Sequence, residues 1–98
     1  MTLYRIAPAA KRDLSSIRGY LTEFASAEVA ASVLRELRDA MELLGRNPGI
    51  GHRRPDLTTR NVLFWVVYTY YTVYREERRP IEVARVLSTH RDVKRSLG

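Results

Sequence analysis

The chain lacks cysteine and has very little lysine. Its 98 residues include no cysteine and two lysines, against fifteen arginines. Without cysteine there is no thiol nucleophile and no disulfide, and because small secreted domains more often carry disulfides, we expect a cytoplasmic protein. No apolar run approaches the about 20 residues of a membrane helix, and the first residues lack the apolar core of a signal peptide.

Catalytic and metal-binding patterns are also scarce. The two histidines, His52 and His90, stand far apart without carboxylates at ligand spacing, which makes them poor metal ligands. A lone histidine in a polar loop is usually just solvated. Gly49 and Gly51 do not stand between a strand and a helix, so they do not indicate a phosphate-binding loop. We therefore expect neither a metal nor a cofactor.

What is present is one small, strongly basic domain. The length suits a single domain over residues 1–98, and the hydrophobic fraction of 45% is ordinary for a globular chain. The formal net charge is +6. This excess either keeps the domain soluble or serves an acidic partner, which is nucleic acid or an acidic protein segment. Arginine favours bidentate contacts with carboxylate and phosphate alike, so its abundance does not distinguish the two.

The first half of the chain predicts a short strand and two helices. Residues 2–6 alternate weakly, and Pro8 suits the entry to a helix. Residues 9–24 carry an apolar stripe at helical spacing. Ser26 is a candidate N-cap for a second helix that ends at residues 47–49, where Asn, Pro and Gly follow one another. The short link between the helices predicts an antiparallel hairpin.

The second half predicts an antiparallel meander. Residues 61–75 and 81–87 are rich in aromatic and β-branched residues. The first run is about three times the usual strand length, so we expect it to turn back near residues 67–69, although no Gly, Pro or Asn marks that turn. Residues 88–97 form a polar, basic tail. The predicted fold is α+β: an N-terminal strand, an antiparallel helical hairpin and a three-stranded antiparallel meander (β-α-α-β-β-β), with the helices on one sheet face.

Both faces of residues 62–74 are apolar. Because side chains alternate along a strand, one face carries Val62, Phe64 and Val66, and the opposite face carries Leu63, Trp65 and Val67. A helical hairpin covers only one face of a sheet. The second face is then covered by a strongly curled sheet or by a partner chain. The expected core between helices and sheet comprises Leu14, Ile17, Leu34, Leu37, Trp65 and Val86.

Several short motifs follow one another along nearly the whole chain. They are Pro8-x-Ala10-x-x-Asp13-Leu14, the run NPGIGHRRPDL at residues 47–57, YYTVYR at 70–75, IEVARVL at 81–87 and Arg91-Asp92. Each alone is weak, but in this order and spacing they resemble the ParE branch of the RelE/ParE superfamily of type II toxin–antitoxin toxins.

The resemblance implies a toxin held inactive by a small cognate antitoxin, commonly ParD-like with an acidic tail, in a hetero-oligomer. DNA would be contacted only indirectly, through the antitoxin. ParE-like toxins are associated with inhibition of DNA gyrase, whereas RelE-like relatives cut messenger RNA on the ribosome. The fold alone does not choose between these activities.

The residues themselves favour binding over catalysis. RNA cleavage needs groups that move protons and stabilise phosphorane charge. Aligned with RelE-like members, two family lysines fall at Val62 and Phe64, an arginine at Tyr71 and a tyrosine near Leu97, so only Arg91 keeps a basic catalytic position. Many ParE-like chains also have a histidine where Ser88 stands.

We therefore predict a non-enzymatic toxin that binds and inhibits DNA gyrase. The alternative is a RelE-like ribosome-dependent endoribonuclease that uses Arg54, Arg75, His90 and Arg91. The candidate target-binding residues are Arg53, Arg54, Arg60, Arg91, Lys94 and Arg95. The candidate antitoxin-binding residues are Leu21, Phe24, Leu37, Phe64, Trp65, Tyr71 and Arg75.

Overall fold

The structure, a computed structural model that describes residues 2–97, follows the predicted order of elements. The elements are β1 (Tyr4–Ile6), α1 (Pro8–Phe24), α2 (Ala27–Arg46), a 3-10 turn (Pro48–Ile50), β2 (Leu63–Val67), β3 (Tyr70–Arg75), β4 (Ile81–Ser88) and α3 (Val93–Leu97). The predicted α+β arrangement is confirmed. Within residues 2–97, no helix combines the length and apolarity needed to cross a bilayer.

The four strands form one sheet in the order β1-β4-β3-β2. The meander is antiparallel, as expected. The N-terminal strand joins the far side of β4 in parallel, with Tyr4 opposite Ile81 and Ile6 opposite Val83. A parallel neighbour requires a long crossover, and the two helices supply it.

The helical hairpin begins and ends at the residues that favour such boundaries. Pro8 occupies the first turn of α1, and the Ser26 side chain caps α2 by accepting a hydrogen bond from the Val29 amide at 3.0 Å. Asn47 ends α2, where its side-chain amide donates to the Leu43 carbonyl at 3.1 Å.

The core between the hairpin and the sheet contains most of the expected residues. Ile17, Leu34, Leu37 and Val86 are buried there. Leu14 and Trp65 are only partly buried, because each packs at the margin of a cluster rather than inside it. The prediction of full burial is therefore wrong for these two residues.

The turn between β2 and β3 consists of Tyr68 and Thr69, as predicted. Tyr68 adopts a left-handed backbone conformation with a φ of 55°. Such a conformation costs a residue with a Cβ atom about 1 kcal/mol, which is why glycine and asparagine usually mark these turns. The turn had no such signal because the chain places a tyrosine there.

The second face of the sheet is covered by the chain itself. Its buried cluster consists of Val62, Phe64, Val73, Leu87, Val93 and Leu97, with Leu57 packed against it. The last two cluster members come from α3, and Leu57 comes from the loop before β2. Neither expected solution, a curled sheet or a partner chain, accounts for this cover, because the polar tail forms an amphipathic helix that lies on the face.

Candidate functional site

Basic side chains surround the sheet face that carries α3. The loop at residues 51–62 reaches this face because two backbone hydrogen bonds join His52 to Phe64, at 2.9 and 2.7 Å, and extend the edge of β2. Farther along the loop, Arg53 donates to the Asn61 side chain at 2.7 Å. Lys94 and Arg95 lie exposed on α3.

Arg54 is the most constrained of these cations. Its Nε and Nη2 atoms donate to the Asp56 carboxylate at 3.0 and 2.8 Å, and its Nη1 donates to the Tyr71 hydroxyl at 3.1 Å. The hydrogen bonds from Arg54 hold the pKa of Asp56 below its ordinary value, and the charge of Lys94 lowers it further. Tyr71 in turn meets the Phe64 ring edge-on at 5.4 Å. Arg54 is therefore held by Asp56 and lies against the Tyr71 ring, which itself packs on Phe64.

The predicted target-binding residues do not all lie together. Arg60 lines a small cavity beside α3, together with Arg75 and Arg85. Arg91 instead lines a cavity of about 530 Å³ between α1 and the Ser88 end of β4, together with His90. Five of the six residues thus surround one face, whereas Arg91 lies beside the helical hairpin.

The four residues of the alternative nuclease do not form one site. Arg75 donates to Glu82 at 2.9 Å, and the strand register places Arg75 opposite Glu82 and Tyr70 opposite Ser88. Five residues along a strand span about 17 Å, so Arg75 and His90 lie at opposite ends of the β3–β4 ladder. Arg54 is held separately by its bonds to Asp56.

The positions that align with the nuclease lysines and tyrosine carry no proton-transfer groups. Val62 and Phe64 on the sheet and Leu97 on α3 are buried against one another. Within residues 2–97, no cluster of histidine and carboxylate side chains has the proximity needed to hold a metal ion. Valine, phenylalanine and leucine at these three positions offer no acid or base.

Two predicted antitoxin-binding residues are not accessible. Leu37 is 0% exposed and Phe64 is 2% exposed, because the first lies in the hairpin core and the second beneath α3. Neither side chain can contact a docking partner in this fold, which corrects the prediction that Leu37 and Phe64 bind the antitoxin. Trp65, Tyr71 and Arg75 are partly buried.

The exposed apolar surface lies on the hairpin and the β2–β3 turn. Phe24 is 68% exposed, and its ring lies 4.9 Å from that of Tyr20. Leu21 and Tyr70 line two adjoining cavities, one beside Tyr20 and one beside Tyr68, so the groove is continuous between α1 and the turn. Sequence reasoning missed Tyr20 and Tyr68. A four-residue spacing between Tyr20 and Phe24 was the one available signal.

A partly buried ion pair has no signal in the sequence. The Asp13 carboxylate accepts hydrogen bonds from Arg85 Nε at 2.8 Å, Arg85 Nη2 at 3.0 Å and the Val86 amide at 2.9 Å. Arg85 also donates to the Ser96 carbonyl at 3.1 Å. The hydrogen bonds that Arg85 donates to Asp13 raise the pKa of Arg85. The pair joins α1, β4 and α3.

The chain is similar to known toxins along its whole length. A family model described as the ParE toxin of type II toxin–antitoxin system, parDE, matches residues 4–93. Toxin ParE1 of Caulobacter vibrioides is 30% identical over 98 residues, which cover 100% of both chains. A solved chain of the chromosomal ParDE TA system from P. aeruginosa has a TM-score of 0.74 at 16% identity, covering 87% of this chain and 92% of that chain. This last likeness concerns the fold.

Proposed function

Because the chain belongs to the ParE family of toxins of type II toxin–antitoxin systems, we propose that it binds and inhibits DNA gyrase in the cytoplasm without catalysing a reaction. A cognate ParD-like antitoxin with an acidic tail neutralises it in a hetero-oligomer. In this account the toxin acts by occupying its target, and DNA is contacted through the antitoxin.

The observation that supports a binding mechanism is the composition of the sheet face. The positions that would carry the nuclease lysines are Val62 and Phe64, and both are buried. An apolar side chain can neither accept the proton of a ribose hydroxyl nor stabilise phosphorane charge. Other cations of this face, such as Arg53 and Arg95, are exposed, and arginine is suited to recognising the carboxylate groups of a partner.

The antitoxin is proposed to dock on the hairpin rather than on the covered sheet face. Tyr20, Phe24 and Tyr68 are exposed aromatics beside a continuous groove that Leu21 and Tyr70 line. Exposed apolar surface of this kind is typical of a protein interface. An amphipathic acidic segment would bury these rings, and its carboxylates would meet the net positive charge of the chain.

Two assays on the purified protein distinguish the candidate activities. We expect inhibition of gyrase supercoiling or accumulation of cleaved DNA, with messenger RNA on translating ribosomes remaining intact. Added antitoxin should restore supercoiling. Codon-specific cuts in ribosome-bound RNA, lost in His90→Ala, would replace this proposal with the nuclease. Unaffected gyrase together with intact RNA would also refute it.

A further inference from the structure

Three arginines line one cavity on the sheet face that carries α3. The cavity has a volume of about 260 Å³ and lies between the first turn of α1, the sheet and α3. Arg60 reaches it from the loop before β2, Arg75 from the end of β3 and Arg85 from β4. Its floor includes the apolar side chains of Val62 and Val73. No carboxylate side chain lines it among the residues that the structure describes.

Two of these arginines are held in place from outside the cavity. Arg75 donates to Glu82 at 2.9 Å, and Arg85 is joined to Asp13 by two hydrogen bonds. The register places Arg85 opposite Val73, so Arg75 and Arg85 rise from the same sheet face. A guanidinium has five N–H donors. Each of these two side chains therefore keeps donors for a further acceptor.

The third arginine has no partner within residues 2–97. Arg60 makes no side-chain hydrogen bond or ion pair with any other described residue. Asp13 pairs with Arg85, but Glu82 is shared between Arg75 and Arg78, so these two carboxylates offset only two of the four arginine charges at and beside the cavity. Charge interactions also strengthen where water is partly excluded. The site therefore lacks the negative charge that would complete it.

We propose that this cavity binds a terminal phosphate group, either inorganic phosphate or a phosphomonoester. A terminal phosphate carries close to two negative charges at neutral pH and presents three acceptor oxygens. Three oxygens provide one acceptor for each of Arg60, Arg75 and Arg85, and arginine favours such charge-assisted contacts with phosphate. A phosphodiester has one charge and two free oxygens, which leaves one arginine without an acceptor.

Titration of the full chain with inorganic phosphate tests the site. At constant ionic strength, we expect saturable shifts in the NMR signals of the three guanidinium Nε–H groups and of the Ala9 and Ser96 amides. Arg60→Gln should weaken binding at least tenfold without changing the melting temperature, because the Arg60 side chain supports no other residue. Arg38→Gln, on the hairpin, has the same charge change and should bind as the wild type. Unsaturated shifts spread over all arginines, or equal affinity in Arg60→Gln, would overturn the proposal.

A second comparison separates the two sources of the phosphate. A short DNA strand with a 5′-phosphate is compared with the same strand ending in a 5′-hydroxyl. Tighter binding of the phosphorylated strand, lost in Arg60→Gln, identifies a nucleic-acid end as the source. Equal binding of the two strands, together with saturable inorganic phosphate binding, identifies free phosphate. Equal binding without saturation by phosphate would leave only general charge attraction and refute the site.

Discussion

At the residue scale, Tyr74 holds the start of the loop at residues 51–62 against the sheet. Its ring is fully buried, and its hydroxyl donates to the Pro48 carbonyl at 2.6 Å while it accepts from the Gly51 amide at 3.0 Å. These bonds attach β3 to the segment that follows α2. The hydroxyl is buried and both donates and accepts a hydrogen bond. A substitution on either side of this contact should therefore lower the free energy of unfolding.

Gly51→Ala should destabilise the protein through a steric clash. A Cβ atom at position 51 would lie 2.6 Å from the Tyr74 hydroxyl and 3.0 Å from the Leu63 Cβ. We expect a loss of about 1–3 kcal/mol in the free energy of unfolding, measured by urea denaturation. The matched control is Gly19→Ala, since a Cβ there meets nothing within 4 Å and α1 should gain about 0.5–1 kcal/mol. Equal effects of the two substitutions would contradict the contact.

Tyr74 should also make stability depend on alkaline pH. Burial raises the pKa of Tyr74 above its ordinary 10.0, so the folded state favours the neutral phenol. This contribution is complete below pH 10 and declines as the pH rises towards the folded pKa, because only the unfolded chain ionises there. In Tyr74→Phe the free energy of unfolding should fall less steeply above pH 10. Leu37→Ala is the control, since it is destabilised but keeps Tyr74, and its slope should match the wild type. The same slope in all three proteins would exclude this role.

At the element scale, the Asp13–Arg85 pair connects parts of the fold that are distant in sequence. β1 pairs with β4 only as far as Val83. Beyond that point, Asp13 on α1 accepts a hydrogen bond from the Val86 amide. Arg85 extends the contact to α3 through the Ser96 carbonyl. The pair therefore closes the free edge of β4 and helps hold α3 on the sheet.

Asp13→Ala should cost about 2–3 kcal/mol, because it leaves Arg85 and the Val86 amide without their acceptor. Denaturant melts should show the loss, and amide hydrogen exchange should accelerate in α3 as well as in β4. Asp39→Ala, at an exposed position of α2, should stay within about 0.5 kcal/mol of the wild type. Unchanged exchange in α3 would show that the pair does not hold this helix.

At the scale of the whole molecule, the net charge of +6 is divided between surfaces with different proposed roles. Lys94 and Arg95 border the α3 face, whereas Arg12 and Arg35 are exposed on the hairpin. Exposed charges contribute little to folding stability. Charge reversal can therefore test binding at one surface while leaving the fold intact.

The double variant Lys94→Glu/Arg95→Glu should weaken gyrase inhibition at least tenfold, because it reverses two cations on the proposed target-binding face. Arg12→Glu/Arg35→Glu has the same change in net charge and should inhibit nearly as well as the wild type. The measurement is the toxin concentration that halves supercoiling at fixed salt. Equal loss in both double variants would assign the effect to total charge, and no loss in either would remove these residues from the interface.

The sequence by itself determined the order of the elements and the family resemblance. Helix boundaries depend on neighbouring residues, so Pro8 and Ser26 marked the starts of α1 and α2 correctly. Likewise, the apolar face of α2 follows from periodicity alone, and Leu37 is buried as that pattern predicts. The predicted turn at residues 67–69 came from strand length, although the left-handed Tyr68 gave no local signal.

Only the tertiary structure decided which distant groups meet. Asp13 and Arg85 are 72 positions apart, and local patterns carry no information on such a pair. The same holds for α3, whose short polar sequence became a cover because Val93 and Leu97 pack on the sheet. Strand register separated Arg75 from His90, and the cavity brought Arg75 together with Arg60. These outcomes depend on how whole elements pack, since contacts distant in sequence form only when the sheet and helices assemble around shared cores.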